Sequence, residues 1–419
     1  MANADKVAAI QFYGSAGKEW TPHMWQGMDF VGWMRLLIRN RFAVHPSCWY
    51  VAAIVTLVSV FHLLFGFLQD FLFGERIRRT KLTKPPLFIL GHWRTGTTLL
   101  HELLILDSRH TYPNTYECME PHHFLLSEPL LTRLFWFFVP SRRPMDNMES
   151  GWDRPQEDEF ALCMLGQPSP YLTIAFPNHP PQDQEAFEIE NMSPRAVRLW
   201  KKALLKFLKL ITYRRPGRLI LKSPTHTCRI KTLLEMFPEA RFVHIVRDPR
   251  IVFPSTVNLW RSLYKAHGLQ KANFQGLEEH VFETFLHMHK RLQEGRTLVT
   301  PDNFYEIRYE DLIRDPIAEM KKLYDHLGLG QFEAMKPRLE QYVARTGDYK
   351  TNQYDIAPEL RAQVEERWGE VIRQYGYEVK SEPTLSPATP SQVRPAVTPP
   401  HMEKWPLVSP NKQVVKALR

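Results

Sequence analysis

The chain has 419 residues, of which 44% are hydrophobic and 24% are charged, a balance that is typical of globular proteins and excludes a wholly disordered chain. This length suffices for one large α/β domain with additions. The net charge of +9 favours an anionic substrate or an anionic membrane surface. Because neither a basic recognition helix nor an RNA-binding motif accompanies that charge, we expect no nucleic-acid partner.

Residues 1–80 form the first predicted unit, an N-terminal helical region. Its apolar segment, residues 49–68, carries no formal charge and is about as long as a helix that crosses the hydrocarbon core of a bilayer. Small and polar residues recur every three or four positions and therefore share one stripe of the helix: Thr56, Ser59, His62, Gly66 and Gln69. The pattern fits a spanning helix, a helix lying in the membrane interface, or a helix packed on protein.

Basic residues flank the apolar segment on both sides. Those before it are Arg35, Arg39 and Arg41, and those after it are Arg76, Arg78, Arg79, Lys81 and Lys84. Because the more basic flank of a spanning helix tends to stay in the cytoplasm, this distribution predicts a cytoplasmic main domain. We therefore expect a cytoplasmic catalytic domain that contacts a membrane through residues 49–68, with a soluble packing helix as the alternative.

The second predicted unit, residues 81–377, has the rhythm of a parallel sheet. Predicted strands at 87–90, 218–222, 240–246 and 303–309 are each followed by a helical pattern, which predicts an α/β fold with a central parallel sheet flanked by helices. Residues 110–215 are rich in proline and aromatic residues and predict a helical insertion over the ligand-bearing end of the sheet. Residues 378–419 are rich in proline, serine and threonine and predict a disordered tail.

A glycine loop follows the first of these strands, in the stretch LFILGHWRTGTT at residues 87–98. Gly91 and Gly96 have the spacing of a phosphate-binding loop, in which backbone N–H groups and the start of a helix bind phosphate oxygens. Thr97 stands where a nucleoside triphosphatase has its lysine, and Arg94 supplies a planar fork of donors instead. The loop therefore predicts a phosphate-like ligand with less charge than a triphosphate.

A second stretch, IVRDPRIVFPS at residues 245–255, accompanies the loop. Together the two stretches resemble the sulfotransferases that use 3'-phosphoadenosine 5'-phosphosulfate (PAPS), above all the bacterial-type group, over about residues 85–354. The resemblance implies the P-loop NTPase-like sulfotransferase fold. It also implies that Arg94, Thr95, Gly96, Thr97 and Thr98 hold the 5'-phosphosulfate, and that Arg247 and Ser255 hold the 3'-phosphate.

Residue patterns around these stretches agree with the resemblance. Asp248 and Pro249 predict a helix start, so Arg247 leaves its strand at the face that receives the glycine loop. Lys222, at the end of the run 218–222, matches the family lysine that contacts the transferring group. As sulfuryl leaves, a preplaced ammonium stabilises the charge that grows on the departing phosphate. Tyr309 resembles the family tyrosine that approaches the nucleotide, and residues 347–350 (GDYK) resemble a segment that closes over the 3'-phosphate.

The acceptor needs a general base, and the sequence offers three candidates. Glu117 lies near the position of a glutamate base in the tyrosylprotein and heparan-type sulfotransferases, with a spacing that differs by a few residues. His226 is similar to the histidine of the cytosolic enzymes, although it follows Lys222 by four residues instead of two. The third candidate is the acidic cluster of residues 157–159. We rank them in that order, and a structural salt bridge or helix cap is the alternative for each.

The predicted reaction is sulfuryl transfer from PAPS, the co-substrate, to a hydroxyl, with an amine as the alternative nucleophile. The scheme needs no metal, because arginine and lysine supply the positive charge. The histidine pairs His122–His123 and His287–His289 lack partner ligands nearby in the sequence, so we expect core or solvated histidines there. The four cysteines are far apart in the sequence, and we expect reduced thiols.

Other functions and acceptors stay open. A P-loop-type kinase or nucleoside triphosphatase would need a lysine at position 97, whereas a non-enzymatic, membrane-associated scaffold would only bind an anion. The acceptor is a small molecule, a lipid or a glycan. The apolar segment and an aromatic patch at residues 130–140 favour a lipid or a membrane-presented glycan.

Overall fold

The computed structural model describes residues 10–12, 23–134, 151–346 and 354–377. The strands are β1 Ile10–Phe12, β2 Leu87–Leu90, β3 His110–Thr111, β4 Arg218–Lys222, β5 Arg241–Val246, β6 Phe304–Arg308 and β7 Tyr354–Ile356. The helices are α1 Phe30–Arg39, α2 Trp49–Arg79, α3 Thr97–Leu104, α4 Thr115–Met119, α5 Phe124–Leu134, α6 Asp158–Met164, α7 Pro194–Arg214, α8 Ile230–Met236, α9 Pro249–His267, α10 Leu277–Arg296, α11 Tyr309–Arg314, α12 Pro316–His326, α13 Phe332–Thr346, α14 Pro358–Arg367 and α15 Gly369–Gln374.

The central sheet has five strands in the order β3-β4-β2-β5-β6, and every neighbouring pair is parallel. Ile89 of β2 pairs with Lys222 of β4 on one side and with Val243 of β5 on the other. The carboxyl ends of β4, β2 and β5 therefore lie side by side. In an open α/β sheet this edge is where ligands bind. Strands β1 and β7 form a separate antiparallel pair.

Successive residues of the strands pack into two different hydrophobic cores, one on each face of the sheet. Phe88, Leu221 and Phe242 pack with α7, α8 and the inserted region, whereas Ile89 and Ile245 pack with α3, α12 and α13. Because successive side chains of a strand point to opposite faces, a strand buried on both faces needs an unbroken apolar run. This requirement explains the runs seen in the sequence. The predicted fold class, a parallel sheet flanked by helices, is confirmed.

The predicted elements match the structure most closely in the sheet. The bounds of β2 and β4 are those predicted, and β5 and β6 differ by one residue at their ends. Strand β3 was not predicted because it has only two residues, His110 and Thr111. The described part of the insertion carries α4 to α7. Residues 135–140 of the aromatic patch, the GDYK segment and the tail 378–419 lie outside the described residues.

Helix α2 is 31 residues long and extends to Arg79, beyond the predicted apolar segment. Val51, Val55, Phe73 and Ile77 bury one face of it against the protein, together with the polar residues Ser59, His62 and Gln69. Gln69 Nε2 donates to the His122 carbonyl at 2.8 Å, and the Leu125 N–H donates to Gln69 Oε1 at 2.9 Å. The polar stripe of the sequence thus faces protein along most of the helix.

The opposite face of α2 is apolar and exposed. Its large exposed side chains are Trp49, Tyr50, Ile54, Leu57, Val60, Phe61, Leu63, Leu64, Phe65, Phe67, Leu68, Phe71 and Leu72. Within the described residues, one helical stretch, Pro46–Arg79, is long and apolar enough to cross a membrane. A continuous apolar surface of this size on a folded protein marks an interaction site.

Candidate active site

The glycine loop joins β2 to α3 at the carboxyl edge of the sheet. Gly96 caps α3 with φ of +102°, and Arg94 also has positive φ, at +71°. A Cβ on Gly96 would lie 2.3 Å from the ring of Tyr309, so glycine is required there by close approach as well as by conformation. Backbone amides at the start of a helix such as α3 can bind an anion. Thr97 is buried and Thr98 half-buried there, whereas the Thr95 hydroxyl donates to the His92 carbonyl at 2.8 Å.

Arg94, Arg247, Ser255 and Tyr309 meet beside this loop. Arg94 Nε donates to Ser255 Oγ at 2.8 Å, and Arg247 donates to the Arg94 carbonyl at 3.2 Å. The Arg247 guanidinium lies over the Tyr309 ring, 4.2 Å from its centre. Among the described residues, the buried Nε of Arg247 has no hydrogen-bond partner, which suits an incoming anion. Four residues predicted to bind the nucleotide are therefore brought together from the glycine loop, the residue after β5, α9 and α11.

Lys222 ends β4 on the same edge of the sheet. Its side chain is 2% exposed, and its Nζ lies 2.7 Å from Glu157 Oε1. The other oxygen of Glu157 accepts a hydrogen bond from the Tyr171 hydroxyl. That hydroxyl in turn accepts from the Trp93 indole N–H at 3.0 Å. Because Trp93 belongs to the glycine loop, this chain of contacts connects the loop to the lysine.

Asp158 and Glu159, the other members of the acidic cluster, are fully buried and bonded within the protein. Asp158 contacts His226 Nε2 at 2.7 Å and accepts from Ser223 Oγ at 2.9 Å. Burial alone would raise the pKa of Asp158, but the charge of His226 and the hydrogen bonds from His226 and Ser223 hold this pKa below its usual value. Glu159 forms an ion pair with Arg229. These pairs fix the loop that follows Lys222.

His226 is also fully buried, with the edge of its ring against Phe88. Its Nδ1 is buried and has no hydrogen-bond partner among the described residues. His226 follows Lys222 by four residues in the sequence, but in the structure its Nε2 faces Asp158. An acceptor hydroxyl would have to enter the core to reach this ring.

Glu117 lies in a buried ion-pair network at the start of α4. It forms a capping box with Asn114, whose N–H donates to Glu117 Oε2 at 2.8 Å. Arg215 donates to the same oxygen at 2.6 Å, and Arg214 lies 3.4 Å from the other. The Glu117 side chain is 0% exposed. These contacts use the carboxylate for helix capping and charge pairing, the structural alternative considered from the sequence.

Comparisons with known proteins agree with this geometry. Residues 85–333 match a family model described as the sulfotransferase family. The chain belongs to the sulfotransferase family. It is 52% identical over 383 residues to the omega-hydroxy-beta-dihydromenaquinone-9 sulfotransferase Stf3 of Mycobacterium bovis, an alignment that covers 91% of this chain and 97% of that protein. The predicted family and enzymatic activity are confirmed, and the kinase and scaffold alternatives are set aside.

Solved structures support the fold of this sulfotransferase. STF1 of Mycobacterium tuberculosis superposes with a TM-score of 0.58 at 17% identity, covering 81% of this chain and 92% of STF1. STF9 of Mycobacterium avium superposes with a TM-score of 0.56 at 21% identity, covering 75% and 82%. At these identities the likeness concerns the architecture of the sheet and its helices.

Some residues of the site escaped the sequence interpretation. Glu157 was placed in the third-ranked cluster without a role of its own, and Tyr171 and Trp93 were not identified at all. Lys222 and Glu157 are 65 residues apart in the sequence, and no local motif joins them. The sequence did contain one indication, the large aromatic residue Trp93 inside the glycine loop. A side chain of that size next to the ligand site is expected to pack against other residues of the site.

Proposed function

We propose that this sulfotransferase transfers the sulfuryl group of PAPS to a hydroxyl of a membrane lipid and releases adenosine 3',5'-bisphosphate. The observation that carries the proposal is the meeting of the Arg94–Ser255–Arg247 group and the Lys222–Glu157 pair at the ends of three adjacent strands. A single nucleotide with an anionic group at each end fits such a pair of basic sites. An amine is the second class of nucleophile compatible with the same chemistry.

The donor is held by its two charged ends. The amides at the start of α3, beside Lys222, bind the 5'-phosphosulfate, while Arg247 and Ser255 bind the 3'-phosphate. Arg94 lies between the two ends, because its backbone belongs to the glycine loop and its Nε donates to Ser255 Oγ at 2.8 Å. The fork of an arginine suits a tetrahedral oxyanion, because two N–H groups can donate to two oxygens at once. Tyr309, held against Gly96 and under Arg247, positions that guanidinium.

The reaction is an in-line displacement at sulfur. The acceptor oxygen forms a bond to sulfur while the bond from sulfur to the 5'-phosphate oxygen breaks, and the electron pair stays on the phosphate. Lys222 stabilises this departing charge. The acceptor proton passes to Glu157, which is the partly exposed carboxylate beside Lys222, with 13% of its side chain accessible. Glu117 and His226, both buried and paired, keep structural roles in this scheme.

The proposed acceptor is a long lipid with a terminal hydroxyl. The 52% identical relative is named for a hydroxylated menaquinone, and an acceptor of that class resides in a membrane. The exposed apolar face of α2 gives this chain a surface for the same environment. A glycan acceptor would need polar residues around the site, whereas Tyr171, whose hydroxyl donates to Glu157, packs with the rings of Trp93 and Phe160.

Helix α2 is proposed to lie in the membrane interface instead of crossing the bilayer. Its buried face contacts the protein from Val51 to Ile77, so the helix cannot leave the domain without exposing His62 and Gln69 to lipid. Basic residues near its ends suit anionic headgroups, and Arg76, Arg78 and Arg79 in its last turn are exposed. A helix with one face packed on protein and an apolar opposite face suits the interface better than the bilayer core.

Binding to anionic vesicles tests this orientation. Because burying one phenylalanine is worth about 1.5–3 kcal/mol, Phe67→Glu and Phe71→Glu should each weaken co-sedimentation with phosphatidylglycerol vesicles about tenfold or more. Ile313→Glu, which changes an equally apolar residue that is 50% exposed on α11, should bind like the wild type. Alkaline carbonate should release the protein from the vesicles, and resistance to that wash would contradict the interfacial orientation.

Nucleotide selectivity tests the donor site. Adenosine 3',5'-bisphosphate should raise the Tm because it binds only the folded protein, whereas ATP with magnesium should not, since the loop lacks the lysine for a triphosphate. Arg247→Ala should weaken bisphosphate binding about 10- to 100-fold, the value of one hydrogen-bonded charge. Equal stabilisation by both nucleotides would contradict the proposed donor.

The overall proposal is tested by transfer of labelled sulfate from PAPS onto lipid, glycan, phenol and peptide pools. We expect the label in the lipid pool, in species that carry a free hydroxyl. Labelling confined to water-soluble phenols would refute the lipid acceptor while leaving the donor assignment intact.

A further inference from the structure

Three side chains point ligand atoms at one another beneath α2. His62 Nδ1, from the middle of that helix, lies 2.8 Å from His123 Nε2 and 3.3 Å from Glu120 Oε2. His123 Nε2 lies 3.5 Å from the same carboxylate oxygen. A triangle of these dimensions allows an ion to sit about 2.0–2.2 Å from every corner, the distance at which zinc binds imidazole nitrogen and carboxylate oxygen.

The outer nitrogens of both rings fix which inner atoms carry lone pairs. His62 Nε2 lies 2.6 Å from the Gln26 carbonyl, which can only accept, so Nε2 carries the proton and Nδ1 is free of it. His123 Nδ1 lies 2.8 Å from Ser127 Oγ. The Ser127 hydroxyl donates to the His123 carbonyl at 3.1 Å and accepts from the Tyr116 hydroxyl at 2.8 Å. His123 Nδ1 is then the donor, and its Nε2 has a lone pair.

Two imidazole lone pairs and a carboxylate oxygen therefore face a common point. In the part of the chain that the structure describes, Glu120 Oε2 has no hydrogen bond. Such a set is mutually repulsive unless a cation lies between its members. Histidines that bind metals are oriented in this way, with the outer N–H donating to a carbonyl or hydroxyl oxygen.

We propose that His62, Glu120 and His123 bind a zinc ion that fastens α2 to the catalytic domain. Two imidazoles and one carboxylate are borderline and hard ligands that suit zinc. They leave one coordination position for water. His62 belongs to α2, whereas Glu120 and His123 lie between α4 and α5, so the ion joins the apolar helix to the insertion. The site is independent of the proposed acceptor and donor.

The expectation of no metal from the sequence depended on ligands close together in the chain. His122–His123 has no third ligand nearby in sequence, because His62 is 61 residues away. A proton is the alternative to a metal ion in this cluster. Burial raises the pKa of Glu120 to about 8, so a proton could bind its carboxylate instead. A proton shared by the three groups would leave no metal to detect.

Metal content of the full chain, purified without a polyhistidine tag, is the test. We expect one equivalent of zinc per chain after dialysis, and exchange with Co²⁺ should give the visible absorption of a tetrahedral nitrogen and oxygen site. His62→Gln, Glu120→Gln and His123→Gln should each lower zinc affinity by at least about tenfold. His122→Gln is the matched control. The His122 ring stacks on His62 but binds the Met164 carbonyl at 3.1 Å, so this variant should keep its zinc.

X-ray absorption of the wild-type zinc protein identifies the ligands without any substitution. Two imidazoles with oxygen ligands would support the proposal even if a variant failed to fold. A wild-type chain that retains no zinc, takes up no Co²⁺ and has the same Tm with and without added zinc would overturn it. Stoichiometric zinc in both His62→Gln and His123→Gln would place the metal elsewhere and overturn it as well. Neither measurement depends on sulfotransferase activity.

Discussion

Replacing Lys222 with alanine is expected to lower kcat by about 10²–10³-fold, the usual effect of removing one preorganised charge from a transition state. The ammonium lies at the end of β4, buried and held by Glu157. It acts on charge that develops only as the sulfuryl group leaves, so its loss affects the transition state more than the bound donor. The measurement is kcat together with the Kd for adenosine 3',5'-bisphosphate, which should change only a few fold.

The control for this substitution is Lys231→Ala, which removes an exposed lysine from α8 and should leave kcat unchanged. Tm is measured for both variants, because Lys222 is buried and its loss leaves the Glu157 carboxylate with Tyr171 as its one side-chain partner in the described part of the chain. A folded Lys222→Ala variant with wild-type kcat would show that the lysine has no part in the chemistry.

Glu157→Gln is expected to lower kcat by about 10²–10⁴-fold, the range for loss of a general base. Glutamine keeps the size of the side chain and can still contact Lys222 and Tyr171, but it cannot take the proton of the acceptor hydroxyl. Donor binding should persist, because Arg94, Arg247 and Ser255 are untouched. Steady-state rates with the lipid acceptor and the Tm for bisphosphate binding measure the two effects separately.

Glu117→Gln is the matched comparison, since it makes the same chemical change at a glutamate that is fully buried. Breaking a buried ion pair typically costs about 3–5 kcal/mol, so this variant should lose free energy of unfolding while its folded fraction keeps kcat near the wild-type value. The opposite result, a stable Glu117→Gln enzyme without activity beside an active Glu157→Gln enzyme, would make Glu117 the base.

The structural elements that could be predicted are those whose formation depends on residues close together in the sequence. Unbroken apolar runs identified β2 and β4 with their bounds, and the spacing of Gly91 and Gly96 identified the loop between β2 and α3. The polar stripe of α2 was also recognised, but the sequence left open whether the helix spans a membrane, lies in the interface or packs on protein. The long helix α10 was not predicted, although its buried residues Leu277, Val281, Phe285, Met288 and Leu292 recur every three or four positions, the pattern of an amphipathic helix.

The sequence by itself determined which local pieces exist: the strand and glycine loop, an arginine after β5, a lysine at the end of β4 and an apolar α2 with a polar stripe. Only the tertiary structure decided that β4, β2 and β5 are neighbours, that Lys222 pairs with Glu157, and that His62 meets Glu120 and His123. The reason is physical. Periodicity records whether a side chain is buried, which is a local property, whereas its partner depends on how elements distant in sequence pack around a common core.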